Sequence, residues 1–240
     1  MDLNKLKKFA QGARRTLLSE VASRLDYVMG HDDIYVRSHQ VELAEIRRQL
    51  DAKGREQLVE EVAYTWFNRI VALRYMDLRG YNKVRVVSPQ AGQVQPELLF
   101  QIKQGRTPPE IRSLQDAFDG YLSGTLGSTQ PDREIYTAAL LGICNEYSRT
   151  LPFLFRKVDE YMAVLLPTDL LSESSILAAV QGAIGEEDVT DVEVIGWLYQ
   201  FYISEKKDQV FGRPRGEKIK KEDIPAATQL FTPHWIVRYM

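Results

Sequence analysis

Residues Arg55 to Arg79 set the tightest limit on the fold. Leu58, Val62, Trp66, Ile70 and Leu73 recur along one helical face, and Tyr64, Phe67, Val71 and Tyr75 carry the apolar surface around it. A helix that is apolar on most sides has to be enclosed by protein. Asn68, Arg69 and Arg74 therefore stand out, because a buried guanidinium must be paired or hydrogen-bonded. Two readings stay open for the arginines: a structural ion pair with a carboxylate, or the wall of a groove for DNA or a partner protein.

The rest of the chain supplies further helices. Leu3, Leu6, Ala10, Ala13, Leu17, Val21, Leu25 and Val28 keep the spacing of one face and predict a long helix over about Asn4 to Met29. Lys5, Lys7, Lys8, Arg14 and Arg15 near its start read as a solvated face. Gly30-His31-Asp32-Asp33 is a turn with His39 close behind, and its aspartates suit turn or cap duty better than a metal site, since no helical i,i+4 ligand pair is present. Val41 to Ala52 is a short charged helix stopped at Gly54. Lys83 to Val87 alternates and is β-branched, which predicts a short strand ending before Pro89. Two capping boxes are expected, one at Thr107 with Glu110 and one at Thr190 with Glu193. Helices are also expected over Asp132 to Arg149, Leu151 to Leu166 and Leu170 to Ile184, with Ser123 to Gln130 as a linker. The last long helix carries Ile195, Leu198, Tyr199, Tyr202 and Ile203, its apolar face widened by Trp197 and Phe201. The predicted fold class is mainly α, a multi-helix domain.

Composition narrows the function classes. Of 240 residues, 44% are hydrophobic and 27% charged, and the net charge is -2, so a nucleic-acid contact has to come from a local basic cluster rather than the bulk charge. No apolar run approaches the roughly 20 residues of a membrane span, and the N-terminus lacks the apolar core of a signal peptide. An intracellular, cytoplasmic location is expected, with no membrane partner. Cys144 is the only cysteine, which rules out an intrachain disulfide and a cysteine-based zinc site, and it reads as a buried small hydrophobe. Glu146 and Glu160 are isolated carboxylates without the partner that acid/base catalysis asks for. No catalytic residue and no metal site is expected in this chain.

The C-terminal stretch carries the candidate sites. Gly212 to Asp223 breaks all periodicity, and Arg213, Arg215, Lys218, Lys220 and Lys221 within it are candidate contacts to a DNA backbone. Further on, Thr232 as N-cap and Pro233 at the first position open an amphipathic helix with Trp235, Ile236, Tyr239 and Met240. This helix shows no C-terminal signal, so the natural chain is expected to continue. Its N-terminus can receive an anion.

The run ATQLFTPHWIVRYM at the end resembles motif X, the F-T-P element of amino-methyltransferases acting on adenine in DNA. VAYTWFNRIVALRYMDLRGY at Val62 to Tyr81 and WLYQFYISEKKDQVF at Trp197 to Phe211 resemble the N-terminal region of the PglX methyltransferases of BREX phage-defence systems. The resemblance covers the whole chain. It implies a Rossmann-like catalytic domain that lies beyond this sequence, with Phe231, Thr232 and Pro233 bordering the methionine end of S-adenosylmethionine. It implies methyl transfer to N6 of a flipped adenine in double-stranded DNA, with other BREX proteins as candidate partners. The corresponding division is 1–211 as helical N-terminal domain, 212–227 as charged linker and 228–240 as the start of the methyltransferase domain. The chain lacks an NPPY or DPPY motif and a glycine-rich turn after a strand, so it is expected to be inactive alone. The alternative is a self-contained helical protein-interaction module without a catalytic role.

Overall fold

The computed structural model describes residues 2–152, 154–155, 159–212, 224–228, 232 and 234–239. Among the described residues there is no strand, only an isolated bridge between Pro89 and Pro96. The mainly helical, multi-helix class holds.

Three long helices form the centre. α1 spans Leu3–Gly30, α4 spans Arg55–Leu78 and α10 spans Glu193–Phe211. α1 opens on Asp2, whose carboxylate accepts the N–H groups of Asn4 and Lys5 at 2.9 and 3.1 Å. α4 runs against α1: Arg55 lies 2.8 Å from Asp26, and Phe67 meets Phe9 toward the other end of α4, with ring centroids 6.1 Å apart. It also runs against α10, with Glu60 beside Lys206 and Tyr64 beside Tyr199. Every apolar position that defines the α4 face is buried, each such side chain contributing about 1.5–3 kcal/mol. The Trp66 indole N–H donates to the Met162 carbonyl at 3.1 Å, so the largest core side chain is buried with its polar atom satisfied.

The remaining helices wrap this centre. α2 (Ile34–Ser38) and α3 (Gln40–Lys53) follow α1, with Asp33 capping α2 through the Val36 N–H and Gly54 ending α3 at φ 80°. α5 (Glu97–Lys103), a 3-10 helix (Pro109–Leu114), α6 (Gln115–Ser123) and α7 (Pro131–Thr150) pack on one another. α8 (Glu160–Val164) lies on α3, and α9 (Ile176–Ala183) lies on α1 and α4. α11 (Ile224–Thr228) packs on α10, and α12 (His234–Tyr239) ends the chain.

Several local expectations are corrected. Lys83 to Val87 is not a strand, because the Val86 and Val87 N–H groups go to the buried Asp77 carboxylate. Thr107 does not cap a helix. Pro109 forces Pro108 into an extended conformation (ψ 143°), so Pro108 itself becomes the cap and Thr107 falls one residue short. At the second expected box the helix starts at Glu193, whose N–H is taken by Asp191, while the Thr190 hydroxyl donates to the Glu187 carbonyl. The helix expected over Leu151 to Leu166 reduces to α8. Pro152 cannot extend α7, and Phe155 packs its ring on Tyr147, 5.4 Å between centroids. α9 begins only at Ile176, capped by Ser175.

Candidate functional site

Arg213, Arg215, Lys218, Lys220, Lys221, Phe231 and Pro233 lie outside the described residues. Thr232 is described and exposed, and α12 follows directly, as the threonine-proline pattern predicts. Arg238 sits in the last turn of α12, where a cation complements the helix dipole. Val237 is 54% and Tyr239 89% exposed.

The arginines of α4 point inward. Arg69 is 3% exposed and lies over the Trp66 ring, 5.2 Å from its centroid. Arg74, 8% exposed, donates from Nε and Nη2 to the Ile184 carbonyl at 3.1 and 2.7 Å, from Nη2 to Gln181 at 3.3 Å, and from Nη1 to Ser88 Oγ at 2.7 Å. It thus closes the C-terminus of α9, whose last carbonyls have no helical partner. Neither side chain lines a groove, and for Arg74 the partners are carbonyls and a hydroxyl rather than the expected carboxylate. Arg14 is also internal: it pairs with Glu60, approaches Glu205 at 3.8 Å and lies over the Tyr202 ring, so it is not part of a solvated face.

Asp77 was not singled out by the sequence, yet it holds the densest polar cluster. Its carboxylate accepts the N–H groups of Val86, Val87 and Ser88 at 2.9, 2.8 and 2.8 Å, the Ser88 hydroxyl at 2.8 Å and the Asn82 amide at 2.5 Å. Tyr136 and Gln181 fasten the same loop by donating to the Val86 and Val87 carbonyls. Burial pushes the Asp77 carboxyl up, and these hydrogen bonds pull against it. A signal was available: an acid in the last turn of a helix opposes the dipole and needs compensation.

No protein-family model matches the chain. Two curated proteins are similar to it. An adenine-specific methyltransferase BrxX of Escherichia coli O9:H4 (strain HS) is 44% identical over 200 residues, covering 81% of this chain. An adenine-specific methyltransferase PglX of Lacticaseibacillus casei (strain Zhang) is 33% identical over 282 aligned positions, covering all of it. The chain is homologous to part of the PglX-type methyltransferases. It spans 16% and 22% of the lengths of these two relatives.

For a PglX-type protein, the described residues do not themselves fit S-adenosylmethionine. They contain no strand, hence no glycine-rich turn after one, where an open α/β sheet seats such a cofactor. Their titratable groups are structural. Cys144 is buried and burial pushes its thiol up to about 12, which leaves it unreactive at neutral pH. His31 and His39 stack on Tyr27 and Tyr35 at 4.5 and 4.2 Å, and no group of three or more metal-ligating side chains gathers among the described residues. No helix among them is long and apolar enough to cross a membrane.

One carboxylate makes stability pH-dependent. Glu20 lines a polar cleft of about 460 Å³ with Arg24, Arg133 and Asp169. Burial, and secondarily the Asp169 charge, raise it from 4.5 to about 7. A folded-state value above the unfolded one contributes stability below pH 4.5 that is lost as pH rises through about 7. Each unit is worth about 1.4 kcal/mol before solvent screening, which leaves about 1–2 kcal/mol for this half-buried group. Glu20→Gln is therefore expected to raise stability by about that much at pH 8 and leave it unchanged near pH 4.5, read from urea unfolding at both values. An equal effect at the two pH values would remove the ionisation as its cause.

Proposed function

We propose that this chain is the N-terminal helical domain of an S-adenosylmethionine-dependent DNA adenine-N6 methyltransferase of a BREX phage-defence system. The observation that carries the reading is the 44% identity, along 81% of the chain, to a protein named as an adenine-specific methyltransferase. Residues 1–211 would act as scaffold, 212–227 as charged linker, and 228–240 as the start of the catalytic domain. Phe231, Thr232 and Pro233 would border the cofactor in that domain. Arg213, Arg215, Lys218, Lys220 and Lys221 would contact phosphates of double-stranded DNA. The substrate places the enzyme in the cytoplasm, and other BREX proteins are its candidate partners.

The test expresses the complete reading frame and sequences host DNA for N6-methyladenine. The full-length protein is expected to methylate adenine within a short recurring site, and the 240-residue chain to transfer nothing. Unmodified DNA from an active, soluble full-length preparation supplied with S-adenosylmethionine would overturn the reading. Transfer by the chain alone would overturn its assignment as a non-catalytic domain.

A further inference from the structure

A groove of about 330 Å³ runs between α4 and α10, with Tyr64, Phe67, Asn68, Leu154 and Tyr199 in its walls. None of its lining residues is charged, although 27% of the chain is. Ala72 and Gly196, one from each helix, leave room where bulkier residues would close it. Leu154 is 45% exposed at its rim.

α10 is apolar beyond the face it already buries. Val194, Leu198, Tyr202 and Val210 are buried, while Ile195, Phe201 and Ile203 are only partly covered. A helix apolar on this much of its circumference calls for a second neighbour. The uncharged lining also limits what that neighbour can be. A nucleic acid would need cations beside its phosphates, and a charged peptide would lose hydration without a paired charge. An apolar helical face satisfies both limits, with Asn68 and the Tyr64 and Tyr199 hydroxyls offering polar atoms that fix its register.

We propose that the groove between α4 and α10 seats an apolar-faced helix from the remainder of the same polypeptide. This rests on the reading of the chain as one domain of a longer enzyme. The relatives have about four-fifths of their length outside the matched region, so such a segment is tethered to the groove. Its effective concentration is of millimolar order, which outcompetes a second copy in free solution.

Hydroxyl-radical footprinting tests this, because it reads side-chain exposure directly. Tyr64, Leu154 and Tyr199 are expected to oxidise at least fivefold more slowly in the full-length protein than in the 240-residue chain. Leu154→Glu, at a half-exposed position, is expected to restore Tyr64 and Tyr199 in the full-length protein to the rates of the isolated chain, with the melting temperature of the isolated chain unchanged. Equal rates in the two proteins, or protection that survives Leu154→Glu, would overturn the inference. Protection that appears in the isolated chain as its concentration rises would assign the groove to a second copy, which also overturns it. Adenine methylation reads the proposed function separately. A full-length protein that methylates DNA with the groove still open defeats this inference alone; one that fails to methylate with the groove closed defeats the function alone.

Discussion

Asp77→Ala is expected to lower the unfolding free energy by about 4 kcal/mol, the largest loss from any polar residue of the chain. The substitution leaves the N–H groups of Val86, Val87 and Ser88 facing a buried space that held their acceptor. An unsatisfied buried donor costs about 1–3 kcal/mol, and local movement of the loop recovers part of the sum. Asp77→Asn separates charge from hydrogen bonding. Its carbonyl oxygen can accept from one side of the cluster, while its NH2 group meets donors on the other, so about 2 kcal/mol is expected. Urea unfolding followed by circular dichroism reads both. A loss under 1 kcal/mol for the alanine variant would mean that the loop does not depend on this carboxylate.

The helices with long, regular apolar spacing were legible in the sequence: α1, α3, α4, α7 and α10 lie within a residue or two of their expected bounds. The features that were missed depend on contacts distant in sequence. α2 and α5 are too short to show a period, at 5 and 7 residues. The Val84 and Val86 alternation suggested a strand because nothing local reveals that Asp77 is the acceptor. The capping box at Thr107 failed through a proline pair whose effect on the preceding residue is local and was readable. The candidate site is less legible than the fold. Two of the runs that carry the family resemblance are α4 and α10, which face each other, so they report a shared core more directly than a shared chemistry. The third contains the cofactor element, of which only Thr232 is described.

Arg74→Ala is expected to cost about 3 kcal/mol, through two ends of one cluster. At one end, the Ile184 and Gln181 carbonyls lose the guanidinium that closes α9. At the other, Ser88 Oγ loses a donor while it still donates to Asp77 at 2.8 Å. Hydrogen bonds to charged groups contribute about 1.5–3 kcal/mol each, less what water entry recovers. Arg74→Lys keeps the charge but not the planar fork, and a single ammonium cannot serve Ile184 and Ser88 together, so about 2 kcal/mod of loss should remain in place of full rescue. Because Ser88 connects Arg74 to Asp77, the two alanine substitutions should not add. The double variant is expected to fall short of the summed losses by about 1–2 kcal/mol, since removing either residue already loosens the loop that the other holds. Additivity within about 0.5 kcal/mol would show that the α9 cap and the Asp77 loop are independent, and that Ser88 passes no energy between them.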